Sequence, residues 1–183
     1  MKYMLTQDYR VDFTAYAPMH TFKGWTVKGI EAEVEIDFHS LVLNKLHAVA
    51  EVAFFTTGNE DRNKAMSDYL VVGRFPKASV EMIECKSFKK VNRGAYRVSV
   101  LAVLEFMSIR RQMPIIFYAV PADGEMKIEV ALQWSFKGYG LNAPRLLFLK
   151  VRDIVDIKGW GQFAQLKQIR GINNSQQSQA IPA

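Results

Sequence analysis

Between Ile30 and Phe38 every second residue is apolar: Ile30, Ala32, Val34, Ile36 and Phe38 alternate with Glu31, Glu33, Glu35 and Asp37. Successive side chains of a strand point to opposite faces, so this pattern reads as a strand with one buried and one wet face. Tyr96, Val98, Val100, Ala102, Leu104 and Phe106 repeat the period, and so do Met126, Ile128, Val130, Leu132, Trp134 and Phe136. Further strands are expected over 8–17, 19–27, 46–57, 77–86, 113–120 and 149–158. Segments 46–57 and 99–106 are apolar on both faces, which asks for a cover outside the core such as a helix, a second layer or a partner chain. Asp123-Gly124 between two alternating runs is a hairpin signal, and Asn92–Gly94 and Lys137–Gly140 are further turn signals.

Long strands leave unpaired edges, and closing the sheet on itself removes them. The expected fold is therefore all-β: a closed antiparallel lipocalin-like barrel of about eight strands, a width that side chains can fill or that can hold one ligand. A two-sheet sandwich is the alternative. One helix interrupts the strands. Asn59 can cap it, Glu60 and Asp61 place acid at its positive end, and Ala65, Met66, Tyr69 and Leu70 give it an apolar edge. Phe75-Pro76 ends the connection, because a residue before proline is pushed out of helical geometry. The chain has 183 residues, enough for one domain with a real core. That domain is expected over 1–170, followed by a polar tail, 171–183, that lacks periodicity.

Several function classes are disfavoured. No uncharged apolar run reaches the length of a membrane-spanning helix. The opening residues have no apolar stretch of the kind a secretory signal needs, so the chain as written reads as cytoplasmic, or periplasmic if a signal precedes it. The net charge is +6, with residues 1–60 carrying 5 Lys/Arg against 8 Asp/Glu and the remainder 19 against 10. The basic groups are short and not interleaved with aromatics, which argues against nucleic acid. The single Cys85 excludes an internal disulfide. His20, His39 and His47 lack a carboxylate at metal-ligand spacing, and no nucleophile elbow or phosphate loop occurs. No metal, cofactor or catalytic group is expected. Tyr96, His47 and Glu105 are the residues to inspect if the chain is an enzyme after all.

Aromatic residues and methionine are abundant instead, with 12 Phe, 7 Tyr, 3 Trp and 8 Met. Phe38, Phe54, Met82, Phe106, Phe117, Trp134 and Phe136 fall on positions of inward type. They suit a well-packed core, or an apolar cavity whose methionine-bearing wall adapts to a bound chain. Period alone does not separate the two.

The stretch 56–82, TTGNEDRNKAMSDYLVVGRFPKASVEM, resembles the bacterial YceI-like family of polyisoprenoid-binding proteins, through Thr57-Gly58-Asn59, Arg62, Leu70 and Phe75-Pro76. A second stretch, 134–159, is similar to the aromatic-glycine element and closing strand of that family. The region Ser108–Ile115 keeps only the proline and the following apolar residue of the family's central turn. The resemblance implies a lipocalin-like barrel with a tunnel for a long isoprenoid lipid, often in a homodimer. It implies non-enzymatic binding or carriage, with the seven apolar residues above as ligand wall and Arg62 or Arg74 beside a polar head. A solid barrel acting through its surface, in stress or interaction, is the competing expectation. An enzyme acting on an apolar substrate in the cavity is another.

Overall fold

The structure is a computed structural model that describes residues 1–91, 94–146 and 149–166. The tail read at 171–183 lies outside the described residues, and so do Asn92 and Arg93 of one turn signal. In chain order the strands are β1 (Lys2–Ala17), β2 (His20–Thr26), β3 (Ile30–Asp37), β4 (Val42–Glu51), β5 (Lys77–Lys90), β6 (Tyr96–Phe106), β7 (Ile109–Ala122) and β8 (Glu125–Ser135). The short β9 (Arg145–Leu146) and β10 (Leu149–Lys150) precede β11 (Ile154–Gln165), and helix α1 (Glu60–Tyr69) lies between β4 and β5.

Consecutive strands from β3 to β8 pair antiparallel; β8 then pairs with β11, β11 with β1, and β1 with β3, which closes an eight-stranded barrel. Strand β2 is the ninth strand of that sheet. Strand β1 meets β3 only through Lys2–Met4, and its second half, Val11–Ala17, pairs with β2 instead. Between these pairings β1 carries a register shift from Leu5 to Tyr9. The wall there is held by the Ile30 amide donating to Tyr9 Oη at 3.0 Å.

The alternating sets face as the sequence implies. Val34, Ile36, Val98, Val100, Met126 and Ile128 are buried, while Glu31, Glu129 and Gln133 on the same strands are exposed. The β7–β8 hairpin turns at Asp123-Gly124, where Gly124 has φ +70°. The β6–β7 turn is less comfortable: Met107 and Ser108 take φ +52° and +61°, a left-handed pair normally filled by Asn-Gly.

Two boundaries differ from the sequence reading. The apolar run 46–57 does not remain a strand: β4 stops at Glu51, and Val52–Phe54 turns as a single 3-10 turn that carries the chain across the barrel end. The last strand lies at Ile154–Gln165 rather than 149–158, because β8 offers a continuous register for it from Ser135 back to Glu125. Gly159 and Gly161 sit inside it. A Cβ at Gly161 would come within 2.5 Å of Leu5 Cδ1, so the glycine is what lets β11 pass the shifted part of β1.

Candidate functional site

The barrel interior has two unlike halves. At the end remote from α1, side chains from every wall meet. Ile36, Val98, Val100 and Phe117 are each 0–1% exposed and pack in one cluster with Tyr3, Val34, Met126 and Phe163. Three rings close this end: Phe38 lies 5.9 Å from Phe88 and 4.8 Å from Tyr96, and Phe88 lies 5.7 Å from Tyr96.

Toward α1 the inward positions become small. Ala32, Ala48 and Val80 stand in direct register across β3, β4 and β5, followed by Ala50 opposite Ala78. Across the barrel, Gly159 sits between Val11 and Val130, where an added Cβ would already come within 3.3 Å of Val11 Cγ2. All of these residues, and Leu132 beside them, face inward and yet are only half-buried. Ala32, Val80, Val130 and Leu132 pack against the plug at the remote end, and this belt is less closely covered than Ile36 or Phe117.

Helix α1 roofs this end of the barrel, over a buried group of Leu104, Phe106 and Tyr139. Helix α1 has no buried residue, although Met66 and Leu70 face the barrel and Asp61 and Lys64 face away. Ala65, read from sequence as part of the apolar edge, is exposed. The helix start is fixed by Asn59, whose Oδ1 accepts from the Arg62 amide at 2.9 Å. Its seat is fixed by Asn63, which accepts from the Thr57 amide at 2.7 Å and donates to Thr56 Oγ1 at 2.9 Å. Tyr69 hydroxyl donates to the Asn142 carbonyl, joining α1 to the segment after β8. Beneath the roof, Trp134 stacks on Tyr139 at 5.5 Å and meets Phe136 edge-on at 4.9 Å. Tyr139 donates to the Leu104 carbonyl at 3.0 Å, and burial pushes its hydroxyl up to about 12.

Two clefts open beside this roof. One, of about 330 Å³, lies between α1, the Val52–Thr56 segment and Lys28. The other, of about 520 Å³, follows the β1–β3 seam and is lined by Leu5, Tyr9 and Ile30 from the inner face and Glu31, Glu51 and Lys77 from the outer.

The residues singled out in the sequence are spread over these regions. Phe38, Met82 and Phe117 belong to one packed cluster, and Trp134 to the aromatic group beneath α1. Phe106 is buried under the roof against Tyr139, and Phe136 packs with Val151 and Val155 beside it. Phe54 stands at the mouth, 38% exposed. Arg62 and Arg74 are exposed and line neither cleft; the Arg74 guanidinium lies 5.1 Å over the Phe75 ring. The small inward set was missed. Its signal was present in the alternation of Ala32, Ala48 and Ala50, and was passed over in favour of large residues.

The groups inspected for catalysis do not converge. Tyr96 is in the ring cluster, His47 faces out between Glu33 and Glu81, and Glu105 pairs with Arg110 at 3.3 Å on the outer wall. Cys85 is part of the inner wall, and its thiol is raised above its ordinary value, mainly by burial and less by Glu84. Among the described residues no three His, Cys, Asp or Glu side chains are grouped to hold a metal ion. No described helix is long and apolar enough to cross a membrane.

No family model matches the chain, and no curated protein matches it in sequence. Solved structures do match. A polyisoprenoid-binding domain from Saccharophagus degradans, implicated in plant cell wall breakdown, superposes with a TM-score of 0.71 at 14% identity, over 90% of this chain and 98% of that one. BcnA of Burkholderia cenocepacia gives 0.66 at 14% identity, over 84% and 95%. A YceI protein of Campylobacter jejuni gives 0.55 at 12% identity, over 78% and 86%. The fold is that of the YceI-like barrels. At these identities the likeness fixes the strand order and the closure, and it leaves the chemistry of the interior to this chain's own residues. The Ala32–Ala48–Val80 belt, the glycines of β11 and the helical roof are this chain's own features on that fold.

Proposed function

We propose that the chain is a YceI-like carrier that binds the apolar tail of a long isoprenoid-type lipid in the open half of its barrel and performs no chemistry on it. The observation that carries this reading is the set of half-buried inward residues, Ala32, Ala48, Ala50, Val130, Leu132 and Ile157. An apolar void in contact with water is unfavourable, and an apolar chain laid along it gains about 0.8 kcal/mol for each methylene buried. A smooth wall of alanine, glycine and valine suits a branched, flexible tail, and Met82 and Met113 adapt to its methyl groups.

Entry is placed at the α1 end, where the helix has no buried residue and the Trp134–Tyr139 group beneath it must move aside. A helix with no buried residue, held by Asn63 and Tyr69, can lift without breaking the barrel core. The S. degradans domain, described as polyisoprenoid-binding, supports the same ligand class. A homodimer is supported by the outer face of β7, where Ile116, Tyr118 and Val120 are 37%, 43% and 42% exposed in alternate positions. The test of the binding reading is a titration with a fluorescent isoprenoid analogue. Saturable binding that unlabelled isoprenoid displaces is expected; binding that never saturates would leave the barrel as a scaffold only.

A further inference from the structure

We propose that the lobe built outside the barrel at the α1 end, from the β1–β2 turn and the β9–β10 pair, docks the protein on an anionic bilayer. The choice of a bilayer as occupant rests on the reading of the barrel as a lipid carrier; the surface itself is read from its charge and its exposed apolar tip. These elements share a core of their own. Val151, 1% exposed, packs with Ala15, Ala17 and Phe136, and Phe22 and Leu141 lie against them. The Arg152 amide donates to the Tyr16 carbonyl at 2.6 Å, and the Val151 amide to the Pro144 carbonyl at 3.0 Å. Tyr69 of α1 packs on the same cluster, so the lobe stands beside the roof where entry of the tail is placed.

The surface of the lobe is cationic. Lys23, Lys137, Arg145, Lys150 and Arg152 are exposed, and none of the ion pairs among the described residues uses them. Arg145 stands directly opposite Lys150 in the β9–β10 register, and like charges so placed repel. An anionic surface laid over both removes that cost. The acids nearby are occupied, Asp153 by Ser135 and the Lys137 amide, Asp156 by Tyr16 and Gln133. Helix α1 carries no such excess, since Arg62 and Lys64 stand beside Glu60, Asp61 and Asp68. At the tip of the β1–β2 turn Met19 is fully exposed and takes φ +59°, a left-handed geometry that strains a long side chain. Met19 thus gains neither a packing contact nor a comfortable backbone from folding. A bilayer interface takes up both features: its headgroups pair with the cations, and its acyl boundary accepts the methionine. An acidic protein would match the charge, but an isoprenoid tail is drawn from a membrane, and that selects the bilayer.

The test is flotation of the full chain with vesicles of phosphatidylcholine alone and of phosphatidylcholine mixed with phosphatidylglycerol in equal parts. Binding to the mixed vesicles that fades with added salt is expected, with none to phosphatidylcholine alone. Arg145→Glu with Lys150→Glu should weaken it about thirtyfold or more, at about fivefold for each basic residue removed. Lys89→Glu with Lys90→Glu makes the same charge change on exposed residues at the opposite end, and should weaken it less than about fivefold. Met19→Gly should weaken it about fivefold while raising the urea midpoint, because glycine accepts that turn without strain. Equal losses from the two charge pairs would make the attraction one of net charge and overturn the site. So would a wild type that ignores the mixed vesicles, which would leave the lobe to an acidic protein. An isoprenoid titration in solution separates this claim from the carrier reading, since both glutamate pairs should bind the tail as the wild type does. Saturable tail binding without vesicle binding loses the docking surface alone. Vesicle binding with the expected variant pattern but no tail binding keeps the docking surface and overturns the carrier.

Discussion

Placing a phenyl ring at Ala48 should block binding and leave the fold standing. Ala48 points inward from β4, directly opposite Ala32 and Val80, and is half-buried. In a filled core the added ring would force neighbours aside at about 1–3 kcal/mol. On the proposed tail site it projects into the space the lipid takes, so Ala48→Phe should change stability by less than about 1 kcal/mol. The ring takes up about the volume of one isoprene unit. Excluding that unit forfeits about 3–4 kcal/mol of tail burial at about 0.8 kcal/mol per carbon group, or two to three orders of magnitude in affinity. A fluorescence titration read beside a urea melt measures both quantities on one preparation. Retained affinity with an intact fold would show that no tail runs past Ala48. A loss of several kcal/mol in the melt would show that the middle of the barrel is packed.

The opposite pattern is expected in the plug: Phe117, 1% exposed, should cost about 3–5 kcal/mol on Phe117→Ala with affinity little changed, as read by the same pair of measurements. Asn59→Ala should cost about 1 kcal/mol through loss of the helix cap, seen as a lower urea midpoint at unchanged slope. Ser108→Gly should raise stability by about 1 kcal/mol, because glycine adopts the left-handed geometry there without a Cβ penalty; an unchanged midpoint would refute it. Asp153 accepts from Ser135 Oγ at 2.6 Å and from the Lys137 amide at 2.8 Å, and chiefly the serine bond holds its carboxyl below the ordinary range. A lowered folded-state value gives stability that is present above the unfolded value, about 3.9, and lost as pH falls through the folded one. Urea midpoints should therefore drop below about pH 4, and Asp153→Asn should flatten that limb.

The barrel was legible because period-two patterning is a backbone property. Ile30–Phe38, Tyr96–Phe106 and Met126–Phe136 could bury one face only as strands, and strands of that length call for closure. The helix was legible from Asn59 and the acids that follow it. The end of β4 was not, since Val52–Thr57 is as apolar as the strand before it and turns only because Gly29 and Gly24 let Phe54 and Thr56 lie against β2 and the turn after it. The site was the least legible part. Large inward residues attract attention, yet Phe38 and Phe117 fill space, and the proposed tail site rests on the small inward residues Ala32, Ala48, Ala50 and Gly159. Which inward residues share one level of the barrel depends on register, and the bulges in β1 and β5 shift that register without a turn signal.

Native mass spectrometry of the protein mixed with a long-chain isoprenoid tests the occupied barrel most directly. A discrete complex of one lipid per chain, weakened in Ala48→Phe and preserved in Phe117→Ala, is the predicted spectrum. The mass of the bare chain alone, at lipid in excess and under conditions that keep the barrel folded, would contradict it.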